Sequence, residues 1–234
     1  MSGGAEQHHQ HRDVTGGWLR PSVFGAMDGL VSNFALIAGV AGGTGETKVI
    51  ALAGIAGLAA GAFSMAGGEY VSVASQRELA LAEIAVERRE LERHPEAEQE
   101  ELAQVFISRG VTPELAAEVA RQISENPAQA LEVHAQSELG VDPHDLPSPK
   151  VAAGSSFLSF GVGALLPLAP YLVGVTSLWV SAVISCLALF GAGALVSTVT
   201  ARSWLYSGLR QLIVGVVAAG LTFGLGNLIG AGGL

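Results

Sequence analysis

Apolar residues form long, nearly uncharged segments in this chain, and a polar insert separates them into two groups. An α-helix needs about 20 predominantly apolar residues to cross a bilayer. The uncharged run at residues 151–201 is too long for one span, and Pro170 and Gly174 divide it into two. The pattern predicts an all-α membrane protein with five transmembrane helices, at residues 22–41, 49–75, 152–174, 178–200 and 209–229. Pro167 and Pro170 predict kinks near the end of the third helix.

The insert between the second and third spans is also predicted to be helical. Its first helix extends the second span without a break and ends at His94-Pro95, because proline disrupts a helix interior. Thr112-Pro113 is typical of a helix N-terminus, and Gly140 of a helix end. The predicted organisation is a flexible tail at 1–20, two spans at 21–75, the insert at 76–148 and three spans at 149–234.

Charge is distributed as unevenly as hydropathy. Half of the 234 residues are hydrophobic, which is typical of a membrane protein. Of the 21 acidic residues, 16 lie between Gln76 and Leu146, so the net charge of −9 belongs to the insert. This charge disfavours nucleic acid and anionic lipid as partners, and it could attract metal cations. The single cysteine, Cys186, lies in a predicted span, so neither an intrachain disulfide nor a cysteine metal site is expected.

The basic residues predict an orientation. If the N-terminus is cytoplasmic, Lys48 is the only basic residue between spans on the outer side, and the six arginines of the insert lie inside. Cytoplasmic loops carry the excess of Lys and Arg in membrane proteins, so the N-terminus and the insert are predicted to be cytoplasmic. The first residues are polar and lack the apolar core of a signal peptide. We expect a multi-pass protein of a prokaryotic plasma membrane.

Asp28 is the one charged residue of the segment 21–45. A carboxylate at the centre of a bilayer costs roughly 2.5–3.5 kcal/mol on insertion scales, and such residues usually face a bundle interior or an ion pathway. The alternatives are that Asp28 caps a helix or lies at the level of the headgroups. We interpret Asp28 as part of an ion or proton pathway.

Other side chains could share this pathway. Met65 and Glu69, four residues apart on the second span, lie on one face of a helix. Asn33, about one turn from Asp28, could add a neutral oxygen. A thioether shifts a set of oxygen ligands toward late first-row metals. Met65 is also an ordinary packing residue, and Glu69 could simply reach the membrane interface.

The insert has acidic residues at helical spacing. Seven residues form the predicted metal site: Glu83, Glu87, Glu90, Glu98, Glu101, His134 and Glu138. Like charges three or four residues apart repel on a helix, so they remain in water or share a cation. Carboxylate with imidazole suits Fe²⁺, Mn²⁺ or Zn²⁺. The alternative is an ordinary acidic surface in which Arg88 and Arg89 pair with these acids.

Several of these motifs occur together in one known family. The run MDGLVSNFALIAG, the run FSMAGGEYVSVASQRE, and an acidic insert ending in SELG, followed by three spans, resemble the vacuolar iron transporter family, which includes the nodulin-21-like proteins. The resemblance implies a five-helix homodimer that exports Fe²⁺, with Mn²⁺, from the cytoplasm in exchange for protons. It implies no prosthetic group and no enzymatic activity.

The resemblance also assigns roles to residues. It places Asp28 and Met65 on the transport pathway, and it places five glutamates in the metal site of the insert, namely Glu87, Glu90, Glu98, Glu101 and Glu138. Two departures stand out. Gly57 occupies a position where some eukaryotic members have a glutamate, and His134-Ala135 replaces a pair of methionines. The second change makes the site harder in character.

Two other classes of function are compatible with the residues. The glutamates and His134 could form a membrane-tethered di-iron oxidase or an iron-storage protein, although the E-x-x-H pairs of ferritin-like sites do not occur in the insert. The protein could also sense metal without transporting it. The intramembrane Asp28 argues against a sensor, because a protein that moves nothing has no evident use for that charge.

Overall fold

The computed structural model describes residues 17–200 and 202–232, and they form α-helices joined by short connections. The first two helices are α1 (Leu19–Gly43) and α2 (Thr47–Arg93). The insert contains α3 (Pro95–Ser108), α4 (Pro113–Ser124), α5 (Pro127–His134) and a π-helical turn (Ala135–Leu139). The chain continues with α6 (Pro149–Leu172), α7 (Leu178–Thr200) and α8 (Trp204–Ala231).

The all-α class and the five spans are confirmed within the described residues. Helices α1, α2, α6, α7 and α8 are each long and apolar enough to cross a membrane. Helix α2 runs unbroken for 47 residues and ends one residue before His94, as the proline predicted. Helix α6 continues through Pro167 and Pro170 to Leu172. Most of the predicted tail, residues 1–16, lies outside the described residues, and Leu19 and Arg20 belong to α1.

The chain divides into two compact units. The membrane unit contains the described parts of residues 1–70 and 150–234, and the insert unit contains residues 71–149. Helix α2 contributes its first half to the membrane unit and its second half to the insert unit. The predicted insert, 76–148, lies within the second unit.

Helix α1 is the centre of the membrane unit. Its buried Leu30 and Phe34 pack with Leu189 of α7 and Ala219 of α8. Another side of α1 presents Ile37 to α2 and α6. Close approach to α8 depends on glycine, since a Cβ atom on Gly226 would overlap the carbonyl of Gly39 in α1. Small residues permit such contacts between membrane helices, and they hold α1 against its neighbours on several sides.

The insert unit has a small core of its own. Leu102 and Ala103 of α3 are buried against Ala116 and Ala120 of α4. Thr112 occupies the predicted N-cap position of α4, but its side chain makes no capping hydrogen bond. Helix α5 is capped by the side chain of Asn126, which accepts hydrogen bonds from two backbone N–H groups. These contacts hold α3 against α4, and the cap fixes the start of α5.

Candidate metal centre and membrane cleft

Four side chains from different parts of the insert unit meet at one ring nitrogen. His134 is fully buried at the end of α5, and its Nδ1 lies 2.9 Å from Oε1 of Glu138 and 3.0 Å from Oε1 of Glu87. Oε2 of Glu98, from α3, lies 3.7 Å from the same nitrogen. Helices α2, α3 and α5 with the π-helical turn thus supply one imidazole and three carboxylates.

The π-helical turn positions the last of these carboxylates. It follows directly on α5 and spans Ala135–Leu139, and Gly140 closes it with a φ of +67°. Isolated π-helical turns occur frequently at functional sites. Here the turn brings Glu138 back to the imidazole of the residue four positions earlier. Glycine adopts the left-handed conformation that ends the turn without steric strain.

The carboxylates around His134 repel one another and are partly shielded from water. Burial raises the pKa of Glu87 from 4.5 to about 7, and the negative charge of Glu138 adds to the rise. Burial and then the charge of Glu101 raise the pKa of Glu98. The electrostatic effect of His134 lowers the pKa of Glu87 and of Glu98, but both pKa values remain raised. A carboxylate with such a pKa is disfavoured as an anion in the apo protein, so a cation that binds there gains its interaction with several acids at once.

The donor atoms are close enough to share one ion. Ligand atoms of Glu87, His134 and Glu138 all lie within 4.8 Å of one another. The other ring nitrogen, Nε2 of His134, is buried and has no hydrogen-bond partner among the described residues. Imidazole nitrogen with carboxylate oxygen suits Fe²⁺, Mn²⁺ and Zn²⁺, and it lacks the soft sulfur ligands that select Cu⁺. The geometry can therefore hold one divalent transition metal.

The structure separates the seven predicted metal residues into three groups. Glu87, Glu98, His134 and Glu138 are in direct contact. Glu90 and Glu101 lie close enough for their charges to raise the pKa of Glu98. Glu83 is exposed, one turn before Glu87 on α2, and it is not among the described residues whose side chains contact His134. The roles of all seven residues as ligands stay predictions.

We expect the apo insert unit to lose stability as pH rises from 5 to 8. The pKa of Glu87 is about 7 in the folded state and near 4.5 when unfolded, so the folded state binds more protons between these values. Stability contributed by the protonated carboxyl is complete below pH 4.5 and is lost as pH rises through 7. The raised pKa of Glu98 adds an effect of the same sign. After allowance for screening by solvent, the rise for Glu87 alone corresponds to about 1–2 kcal/mol.

Hydrogen–deuterium exchange of residues 127–139 in the detergent-solubilised full chain tests this expectation. Protection, corrected for the intrinsic exchange rate, should fall with pH in EDTA and should rise with pH in saturating Mn²⁺, because the metal displaces the protons. Glu118 offers no competing explanation. Its pKa of about 2, lowered by hydrogen bonds from Arg121 and Gln122, places its titration below this range. Protection that stays constant in EDTA from pH 5 to 8 would contradict the raised pKa of Glu87 in the folded apo protein.

A second candidate site is a cleft in the membrane unit between α1 and α2. The cleft has a volume of about 310 Å³. Its polar and thioether lining comes from Asp28, Ser32 and Asn33 of α1 and from Ser64 and Met65 of α2. Phe160 of α6 adds an aromatic wall. The cleft therefore brings together three of the four residues predicted for the pathway: Asp28, Asn33 and Met65.

Asp28 lies in the middle of α1 and not at either end. This position excludes the alternative in which Asp28 caps the helix. The hydroxyl of Ser32 donates a 2.6 Å hydrogen bond to the backbone carbonyl of Asp28, and not to its side-chain carboxylate. The Asp28 side chain is exposed in the single chain. Glu69 is half-buried one turn beyond Met65 and does not line the cleft.

Comparison with known proteins agrees with these features. The model of the VIT family matches residues 19–227, which include both the cleft and the insert. The chain belongs to the VIT family. A protein named "Vacuolar iron transporter" from Acanthamoeba castellanii is 37% identical over 95% of this chain and 82% of its own length. "Vacuolar iron transporter 1" from Arabidopsis thaliana is 31% identical over 95% of this chain and 90% of its own length.

Membership of the VIT family confirms the resemblance in the sequence. The relatives are named as transporters and not as enzymes, which supports iron or related metal transport for the family and agrees with the prediction that the chain is not an enzyme. Five apolar helices support a multi-pass membrane protein. Sequence reasoning did not single out Ser64 as a lining residue. Its position beside Met65 on an apolar helix was the only available signal.

Proposed function

We propose that this protein exports Fe²⁺, and also Mn²⁺, from the cytoplasm in exchange for protons. One observation carries the proposal: an intramembrane carboxylate, Asp28, shares a cleft with the thioether of Met65. A carboxylate binds a proton or a divalent ion, and competition between the two provides exchange. The thioether favours late first-row metals over Mg²⁺ and Ca²⁺. The iron in the names of the relatives supports Fe²⁺ as the principal substrate.

The insert unit supplies the metal in this proposal. The group around His134 captures Fe²⁺ or Mn²⁺ from the cytoplasm, and Zn²⁺ is a further candidate. The excess of arginine in the insert supports its cytoplasmic location through the positive-inside rule. With this orientation the direction of transport is outward, across a prokaryotic plasma membrane. The N-terminus is cytoplasmic as well.

The working protein is proposed to be a homodimer. Asp28 is exposed in the single chain, and a carboxylate that faced lipid at this depth would carry the insertion penalty without compensation. Charged residues in membranes face a protein interior or a water-filled cavity. A second copy packed over the cleft would provide such surroundings and would enclose the pathway between two protomers.

Metal flux into proteoliposomes tests the function. The purified full chain is reconstituted, Fe²⁺ is supplied anaerobically with a reductant, and metal and pH are followed with dyes inside the vesicles. We expect Fe²⁺ and Mn²⁺ to cross the membrane, with protons moving the opposite way. Metal bound to the protein without flux would favour a sensor. In a separate aerobic assay without reductant, oxygen consumption on addition of Fe²⁺ by protein that shows no flux would favour a di-iron oxidase.

A further inference from the structure

The side chain of Asn33 is satisfied at one end and unsatisfied at the other. Asn33 lies on α1, is 2% exposed, and donates a 2.7 Å hydrogen bond from Nδ2 to the carbonyl of Ala164 on α6. Only the NH₂ end of a carboxamide can donate to a carbonyl, so this bond fixes which end is the oxygen. That oxygen, Oδ1, is buried and has no hydrogen-bond partner among the described residues. A buried acceptor without a partner is costly and requires an explanation.

The unsatisfied oxygen faces Gly57 of α2. A Cβ atom at Gly57 would lie 2.9 Å from Oδ1 of Asn33 and would overlap the end of the Leu36 side chain. All three residues line the cleft that contains Asp28 and Met65. No side chain from position 57 fills the space beside the oxygen, and the flexible end of Leu36 occupies it instead. Leu36 is 38% exposed, and rotation of its flexible end would open Oδ1 to an ion in the cleft.

The chemistry of Asn33 differs from that of the two pathway residues beside it. Asp28 offers an anionic oxygen and Met65 a soft sulfur, whereas Asn33 offers a neutral carbonyl oxygen. Carbonyl oxygen suits Mn²⁺ and harder ions, and thioether sulfur suits softer ones. An ion held by all three must balance these preferences. The amide is rigidly oriented by its bond to α6, so the oxygen is available without rearrangement of the side chain itself.

We propose that Oδ1 of Asn33 is a neutral oxygen ligand for a divalent cation in the Asp28–Met65 cleft, and that it determines the preference for harder ions such as Mn²⁺ over softer ions such as Zn²⁺. Gly57 acts with Asn33, because the absence of its side chain lets the end of Leu36 be the only group that must move for an ion to reach this oxygen. The inference rests on the proposed function, because it requires the cleft to carry metal. It adds a determinant of selectivity to that function.

The test compares Mn²⁺ and Zn²⁺ flux, measured side by side in proteoliposomes, for wild type and three variants. Asn33→Ala removes the oxygen, but it also removes the bond to Ala164. Gly57→Ala keeps that bond and places a methyl group against the oxygen. Gly67→Ala is the matched control, since a Cβ atom at Gly67 on the same helix meets nothing within 4 Å. We expect the first two variants to lower the Mn²⁺ to Zn²⁺ flux ratio about tenfold, the lower end of the effects seen when metal sites lose a supporting group.

Different flux results would contradict the role of Asn33 and the transport function on which that role depends. A wild type that moves neither Mn²⁺ nor Fe²⁺ in the same vesicles would overturn the proposed function, and this inference with it. A wild type that transports, with Gly57→Ala changing both fluxes by the same factor or by none, would overturn the inference alone and leave Asn33 as a link between α1 and α6. If Asn33→Ala fails to fold, Gly57→Ala still decides the question, because it preserves the bond to Ala164.

Discussion

Replacing Asp28 by Asn is expected to abolish metal flux in proteoliposomes. The substitution keeps the shape of the side chain but removes the only charge in the cleft lining. A divalent ion that leaves water needs an anionic partner in the membrane, and a carboxamide does not supply one. We expect the rate to fall about 100-fold or more, which is equivalent to roughly 2.7 kcal/mol at the transport barrier. Flux of Fe²⁺ and Mn²⁺ under a fixed pH gradient measures the effect.

Two controls distinguish a specific loss of metal flux in Asp28→Asn from a general effect of losing a charge and from failed membrane insertion. Glu46→Gln is the matched control, because Glu46 is an exposed carboxylate in the connection between α1 and α2 and does not line the cleft. Removing an intramembrane charge makes insertion easier, so Asp28→Asn should reach the membrane at least as well as wild type. Transport by Asp28→Asn at the wild-type rate would remove Asp28 from the pathway.

The spans of the membrane unit could be predicted because they depend on local sequence. Length and the absence of charge identify an apolar helix without any knowledge of its neighbours. The arrangement of the helices could not be predicted in this way. Asn33 meets the carbonyl of Ala164, 131 residues away, only after α1 and α6 have packed. In sequence, Gly57 is notable only for lacking the glutamate of some eukaryotic members. The packing of the helices places it beside the buried Oδ1 of Asn33.

The metal centre shows the same division between local and long-range information. Helical spacing places Glu83, Glu87 and Glu90 on one face of a helix, but it cannot say which of them a second helix covers. The structure selects Glu87 by placing His134 of α5 against it. The π-helical turn that returns Glu138 to His134 has no distinctive sequence signal, because glycine after a helix is equally typical of an ordinary helix end.

Replacing Glu87 by Gln should weaken metal binding and stabilise the apo protein at the same time. The variant loses an anionic ligand, so we expect the affinity for Mn²⁺ or Fe²⁺ at pH 8 to fall on the order of 100-fold, the upper end of what supporting groups contribute to metal sites. The substitution also removes a carboxylate whose charged form is destabilised by burial and by the nearby charge of Glu138. These two effects raise the pKa of Glu87 to about 7. The metal-free variant should therefore be more stable than wild type at pH 8, and the difference should shrink toward pH 5 and vanish below pH 4.5.

The opposite signs of the two effects identify a binding residue. A carboxylate that only supports the fold would reduce stability and affinity together when it is replaced. Isothermal titration with Mn²⁺ and hydrogen exchange in EDTA, both on the full chain, measure the two quantities. Glu92→Gln removes an exposed carboxylate from the same helix, five residues further on, and should change neither. Unchanged affinity in Glu87→Gln would exclude Glu87 as a ligand, whereas lower apo stability at pH 8 would show that its buried charge is compensated in the metal-free protein.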